Sequence, residues 1–113
     1  MISKELSEGV YALADKEFED ACKVYPLFHS PHEAAAVIRE EFEEAQEDMQ
    51  AMEIRFDKLW LNVREDAKNE KIDTLRLMMA AKNCACECIQ VMAMCRKEME
   101  SIKRDEYDER LER

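Results

Sequence analysis

The stretch Ile38-Arg39-Glu40-Glu41-Phe42-Glu43-Glu44-Ala45-Gln46-Glu47-Asp48-Met49 carries two patterns at once. Ile38, Phe42, Ala45 and Met49 recur at spacings of four and three, which is helical periodicity. Continued through Met52, Phe56, Leu59 and Val63, the alternation becomes a heptad seam with no Gly or Pro to interrupt it. The second pattern is acidic. Between Glu40 and Asp48 the chain places six carboxylates, and on a helix Glu41, Glu44 and Asp48 rise along one stripe. Like charges at these spacings repel by a few tenths of a kcal/mol per pair. A bound cation is one way to offset that cost.

Outward from this stretch, the start of the helix is well marked. Ser30-Pro31-His32-Glu33 places Ser at the N-cap, Pro at the first helical position and Glu two residues further on, a capping box with the favoured proline. This helix is expected over 31–68. Before it, Leu6, Val10, Leu13, Ala14, Phe18, Ala21 and Cys22 give a shorter helix over 3–24, ended at Tyr25-Pro26 because the residue before proline is pushed out of the α region. Phe28 or His29 packs back on the following turn. Beyond the central helix, Asn69 is expected to close it in the left-handed conformation and Asp73 to cap the next. The third helix is expected over 74–102, with a seam of Met78, Ala81, Ala85, Cys88, Met92, Cys95, Met99 and Ile102. Residues 103–113 are almost wholly charged and read as a fraying tail.

The fold class is therefore all-α: a long antiparallel helical hairpin and a shorter N-terminal helix in one domain over 1–113. Chain composition agrees, since one Gly and two Pro in 113 residues leave little material for sheets and turns. Long thin hairpins bury little surface alone, so the bundle is expected to be completed by a homodimer or homotetramer.

The net charge of −10 argues against nucleic acid as a partner, which needs a basic footprint, and against an anionic membrane surface. It attracts divalent cations. No secretory leader or membrane-spanning run is evident, and five cysteines fit reduced thiols in a cytoplasmic setting. Cys84-Ala-Cys86-Glu-Cys88 does not read as a zinc site, because alternate helical residues point about 200° apart. Small core residues are the expected reading. His29 and His32 lack the order of a zinc protease, and no ExxH di-iron signature is present. Trp60, beside Leu59, is expected at a core or subunit contact.

Glu40-Glu41-Phe42-Glu43-Glu44 fits an EExxE pattern, and Glu87-Cys88-Ile89-Gln90 fits an ExxD pattern with Gln in the last place. Together with His29-Ser30-Pro31-His32-Glu33-Ala34, this run resembles the small phage and prophage branch of the MazG-like nucleoside triphosphate pyrophosphohydrolases. The resemblance covers about residues 29 to 100. It implies an all-α oligomer in which carboxylates hold Mg²⁺ (or Mn²⁺) against a nucleoside triphosphate, cleaved to the monophosphate and pyrophosphate in the cytoplasm, the host's if phage-derived. Carried over by position, Glu41, Glu44, Glu87 and Gln90 are the metal ligands, and Glu40 or Glu44 the residue that activates water. Gln90 brings an amide oxygen but neither charge nor basicity, so a degenerate relative is a second form of the same reading. Lys82, Arg76, Arg96 and Lys97 are cations available to phosphate on the third helix, and Lys82 is carried forward as the substrate contact. The alternative reading is a noncatalytic oligomerisation or adaptor protein with a solvated acidic face.

One geometric expectation bears on the site. A hairpin that turns near residue 70 sets Glu41–Glu44 opposite residues 96–99, with Glu87 about two to three turns away. A shifted turn or a second subunit is needed to bring the two acidic motifs together.

Overall fold

The computed structural model describes residues 1–112. These residues are 87% helical, without strands, so every tertiary contact is made by helix faces and connecting loops. Three helices follow in order: α1 (Lys4–Val24), α2 (Pro31–Arg64) and α3 (Glu70–Leu111). No helix among the described residues is long and apolar enough to cross a membrane. The chain divides into two compact units, Met1–Glu40 with Ile89–Arg113, and Glu41–Cys88.

In the first unit, α1 starts where Ser3 caps it, its hydroxyl accepting from the Leu6 N–H at 3.0 Å. It ends at Tyr25 in extended backbone, as the following proline requires. Ser30 accepts from the Glu33 N–H at 3.1 Å and opens α2 as the capping-box pattern predicts. The loop between α1 and α2 is anchored by Phe28. This residue is 2% exposed and packs with Ala34, Ala93 and Met94, flanked by Phe18, Ala21, Val37 and Ile38. The backbone polar groups of Phe28 are matched as well. The Phe28 N–H donates to Ser101 Oγ at 3.0 Å, its carbonyl accepts from the Arg104 guanidinium, and Lys97 Nζ lies 4.5 Å from its ring centroid. Of the two candidates for packing back, Phe28 is buried and His29 is exposed.

The second unit is the hairpin end of α2 and α3. Asp66 takes the left-handed conformation, with φ of 54°. The Ala67 N–H donates to the Asn62 carbonyl and the Asp66 N–H to the Val63 carbonyl. This is a Schellman closure with Asp in the place usually held by glycine. It ends α2 at Arg64, not Lys68. Asn69, expected to close α2, instead accepts from the Asp73 N–H in the first turn of α3, which starts at Glu70 and not Thr74. Asp73 is consequently not the cap. Its carboxylate, buried, accepts from the Asn62 side-chain amide at 2.6 Å and ties the two helices together next to the turn. At the other end α3 continues through the charged segment to Leu111, so residues 103–111 are helical.

The packing faces also differ from the expected seams. On α3 the inward line is Asp73, Leu77, Ala80, Cys84, Glu87, Val91, Met94 and Ser101, each buried or half-buried. It keeps heptad spacing but lies one residue before the expected line, about 100° around the helix. On α2, Ile38, Ala45, Met52 and Leu59 do face inward. Their expected companions Phe42, Met49, Phe56 and Val63 are 51, 49, 54 and 44% exposed, and the inward places go to Glu41, Asp48 and Asn62. Polar groups have thus displaced apolar ones from the seam. Trp60 is exposed, as are Cys86, Cys88 and Cys95, which corrects their reading as small core residues; Cys84 is buried.

Truncating the loop anchor tests the first unit. Phe28→Ala should cost about 3–5 kcal/mol, the usual range for a fully buried aromatic. A shift in the urea midpoint, read by circular dichroism, measures it.

Candidate metal centre

Glu41 and Glu44 are placed by α2 and Glu87 by α3. One ligand oxygen from each lies within 4.8 Å of the others. The early turn accounts for this meeting. Both helix boundaries sit about four residues before their expected places, which moves Glu87 about two turns toward Glu41 and Glu44. Adjacent packing shows the same register: Cys84 Sγ donates to the Ala45 carbonyl at 3.8 Å. A simple intrachain hairpin therefore unites the two acidic motifs, and no second subunit is needed for it.

The three carboxylates differ in setting. Glu44 is exposed, whereas Glu41 and Glu87 are half-buried. Oε2 of Glu87 is fully buried and has no hydrogen-bond partner among the described residues. Burial pushes the Glu87 carboxyl above its ordinary value. A hydrogen bond with Glu44 adds to the rise, followed by repulsion from Glu44, Glu41 and Asp48. Asp48, on the same α2 stripe, also acts on Cys84. Burial raises that thiol, with Cys88 and then Asp48 contributing further. Cys84 is thereby held as a thiol, a packing residue rather than a nucleophile.

The remaining expected site residues lie outside this trio. Glu40 is exposed on α2, and Lys82 is exposed on α3. Gln90 belongs to the first unit, where its amide N–H donates to Glu17 of α1 at 2.9 Å. Among the other cations considered for phosphate, Arg96 lies near Asp15 and Glu100 and over the Phe18 ring, and Lys97 is buried against Phe28.

As a donor set, three carboxylates suit a hard divalent cation such as Mg²⁺, which takes oxygen ligands and retains several waters. The orphaned buried oxygen of Glu87 fits that use, because an ion would give it the partner the protein does not. Comparison with protein-family models, curated proteins and solved structures gives no match for this chain.

The raised Glu87 carboxyl has a consequence for stability. The folded state binds its proton more readily than the unfolded chain does. The stabilisation is complete below the unfolded value of about 4.3 and is lost as pH rises through the folded value. In metal-free buffer, Glu87→Gln should therefore be more stable than the parent at pH 7, with the advantage vanishing near pH 4. Denaturant midpoints at the two pH values measure the difference. A variant less stable than the parent at pH 7 would show that the Glu87 charge is compensated in the fold.

Proposed function

We propose that the protein is a MazG-like nucleotide pyrophosphohydrolase, or a degenerate relative that binds nucleotide, with a divalent cation held by Glu41, Glu44 and Glu87. The observation that carries this reading is the convergence of these three carboxylates from two helices, with one oxygen buried and unpartnered. A solvated acidic face supplies no reason for a carboxylate oxygen to be buried without a partner in the helix seam. Bound there, Mg²⁺ (or Mn²⁺) would offset charge on the triphosphate oxygens.

The chain's own residues divide the rest of the work. Glu87 and Glu41, half-buried, are held in place by packing and serve as fixed ligands. Glu44 is exposed at the edge of the trio, where it can orient water and take its proton. Glu40, four residues before Glu44 on the same helix, is the second candidate for that role. Lys82 is a surface cation available to substrate. Attack of the water at the α-phosphorus yields the nucleoside monophosphate and pyrophosphate. Gln90 occupies the place of the family's last carboxylate and supplies no charge, which favours weak turnover. Five unpaired thiols fit a cytoplasmic location.

A specific observation also favours self-association. Phe42, Met49, Phe56 and Val63, seven residues apart, form an exposed apolar stripe on α2, and Met78 adds to the exposed apolar surface of the same unit. Such a stripe suits helix packing between hairpins in a homodimer or homotetramer. An adaptor that only oligomerises would use the same stripe.

Pyrophosphate release from a panel of NTPs and dNTPs separates the two. The enzyme reading expects Mg²⁺-dependent release that falls by at least about 100-fold in Glu41→Ala and Glu44→Ala, with sedimentation unchanged. Absence of turnover, together with no thermal shift from Mg²⁺ plus nucleotide, leaves the adaptor.

A further inference from the structure

The hairpin unit holds a pair of thiols that the acidic trio does not use. Cys84 and Cys88 stand one turn apart on α3, and residues four apart on a helix stack on one face. Cys84 is buried, and its Sγ donates to the Ala45 carbonyl at 3.8 Å. Cys88 is exposed, and both thiols are free. Cys88 is the first side chain to act on the Cys84 thiol, through its charge and a side-chain hydrogen bond, with Asp48 behind it. One sulfur is thus anchored in the helix seam and its neighbour is open to solvent. Cys86, two residues from each, points about 200° away.

Helix geometry limits what such a pair can do. Cβ atoms at this spacing are about 5–6 Å apart. A disulfide needs about 3.5–4.5 Å, so forming one would require α3 to unwind locally. Two metal–sulfur bonds of about 2.3 Å each, the length found for zinc thiolates, span about 4.6 Å and fit without backbone movement. The pair is therefore set for a bridging ion rather than a covalent bond. The class of ion follows from the donor count. Structural zinc takes four protein ligands, and no third His, Cys, Asp or Glu side chain converges on this pair among the described residues. Mg²⁺ and Ca²⁺ take oxygen, not sulfur. Thiolates select soft ions, and a d¹⁰ monovalent ion such as Cu⁺ is satisfied by two of them.

We infer that Cys84 and Cys88 form a two-thiolate site for a soft monovalent cation such as Cu⁺, separate from the acidic trio. Only thiolate ligates, so binding exchanges protons for the ion. Two thiols and one Cu⁺ give one bis-thiolate complex and two released protons, with no change of oxidation state. Softness keeps the two sites distinct. Glu87 lies between the cysteines in sequence but offers oxygen, which suits hard cations. The thiol site is independent of what the trio binds.

Anaerobic titration with Cu⁺ held by bicinchoninate, a coloured competitor, tests the site. The proteins are the parent, Cys88→Ala, Cys84→Ala and the control Cys86→Ala. Cys86 and Cys88 are both exposed, so neither substitution disturbs packing. The expected result is one Cu⁺ bound by the parent and by Cys86→Ala, with X-ray absorption at the copper edge showing two sulfur neighbours. Cys88→Ala should weaken binding by more than the roughly 10- to 100-fold that loss of an outer-shell partner costs. Cys84→Ala should match it, with circular dichroism verifying its fold. If that buried substitution unfolds the chain, Cys88→Ala against Cys86→Ala decides alone. Equal losses in Cys86→Ala and Cys88→Ala, three or more sulfur neighbours, or a parent that takes no Cu⁺ from bicinchoninate overturns the inference.

Discussion

The hairpin unit depends on where the chain turns. Asp66 in the left-handed conformation closes α2 at Arg64, and Asn69 opens α3 at once, leaving only residues 65–69 between them. The buried Asn62–Asp73 hydrogen bond then fixes the two helices beside the turn. A buried amide–carboxylate pair is intolerant of slippage, because moving either helix by a residue leaves both groups unpartnered. From that point register is transmitted along the seam to Ala45 against Cys84 and to Glu44 against Glu87. The meeting of the two acidic motifs is therefore a consequence of a turn some thirty Å away along the helices, about twenty residues at the helical rise.

The seam so aligned is poor as a hydrophobic core. It draws Glu41, Asp48 and Asn62 inward while Phe42, Met49, Phe56 and Val63 remain half-exposed. Local hydrophobicity alone favours the opposite choice, since each apolar residue buried gains about 1.5–3 kcal/mol. Small residues, Ala45, Ala80 and Cys84, keep the two helices close at the polar positions. Conflicts of this kind between burial and chemistry are expected where a fold serves a site. On the function proposed above, a bound cation would offset the crowding of the three carboxylates, and a second hairpin would cover the exposed stripe.

Much of the fold was legible. The caps at Ser30 and the stop at Tyr25-Pro26 act through local backbone chemistry, and the helices begin and end there as the residues indicate. The turn was less legible because its left-handed residue is Asp, not Gly, and Asp66 sits among polar residues that offer several equivalent closures. Asn69 is the more usual left-handed residue but serves α3. The inward faces were misplaced for a related reason. Periodicity picks the most apolar line, whereas the inward line of α3 includes Asp73 and Ser101, which make buried hydrogen bonds, and Glu87, whose buried oxygen makes none. Glu41, Glu44 and Glu87 were visible as residues because acids at helical spacing are conspicuous. Their convergence was not, because it follows from register.

A discrete cation site at the acidic trio and a diffuse acidic surface bind metal ions differently. Electron paramagnetic resonance titration of Mn²⁺ distinguishes them directly, comparing the parent with Glu87→Gln and with Glu47→Gln, an exposed acid of the same helix outside the trio. A discrete site predicts saturable binding of one ion, weakened at least tenfold by Glu87→Gln and little changed by Glu47→Gln. Equal effects of the two substitutions, or unsaturable binding that disappears with added salt, would contradict it.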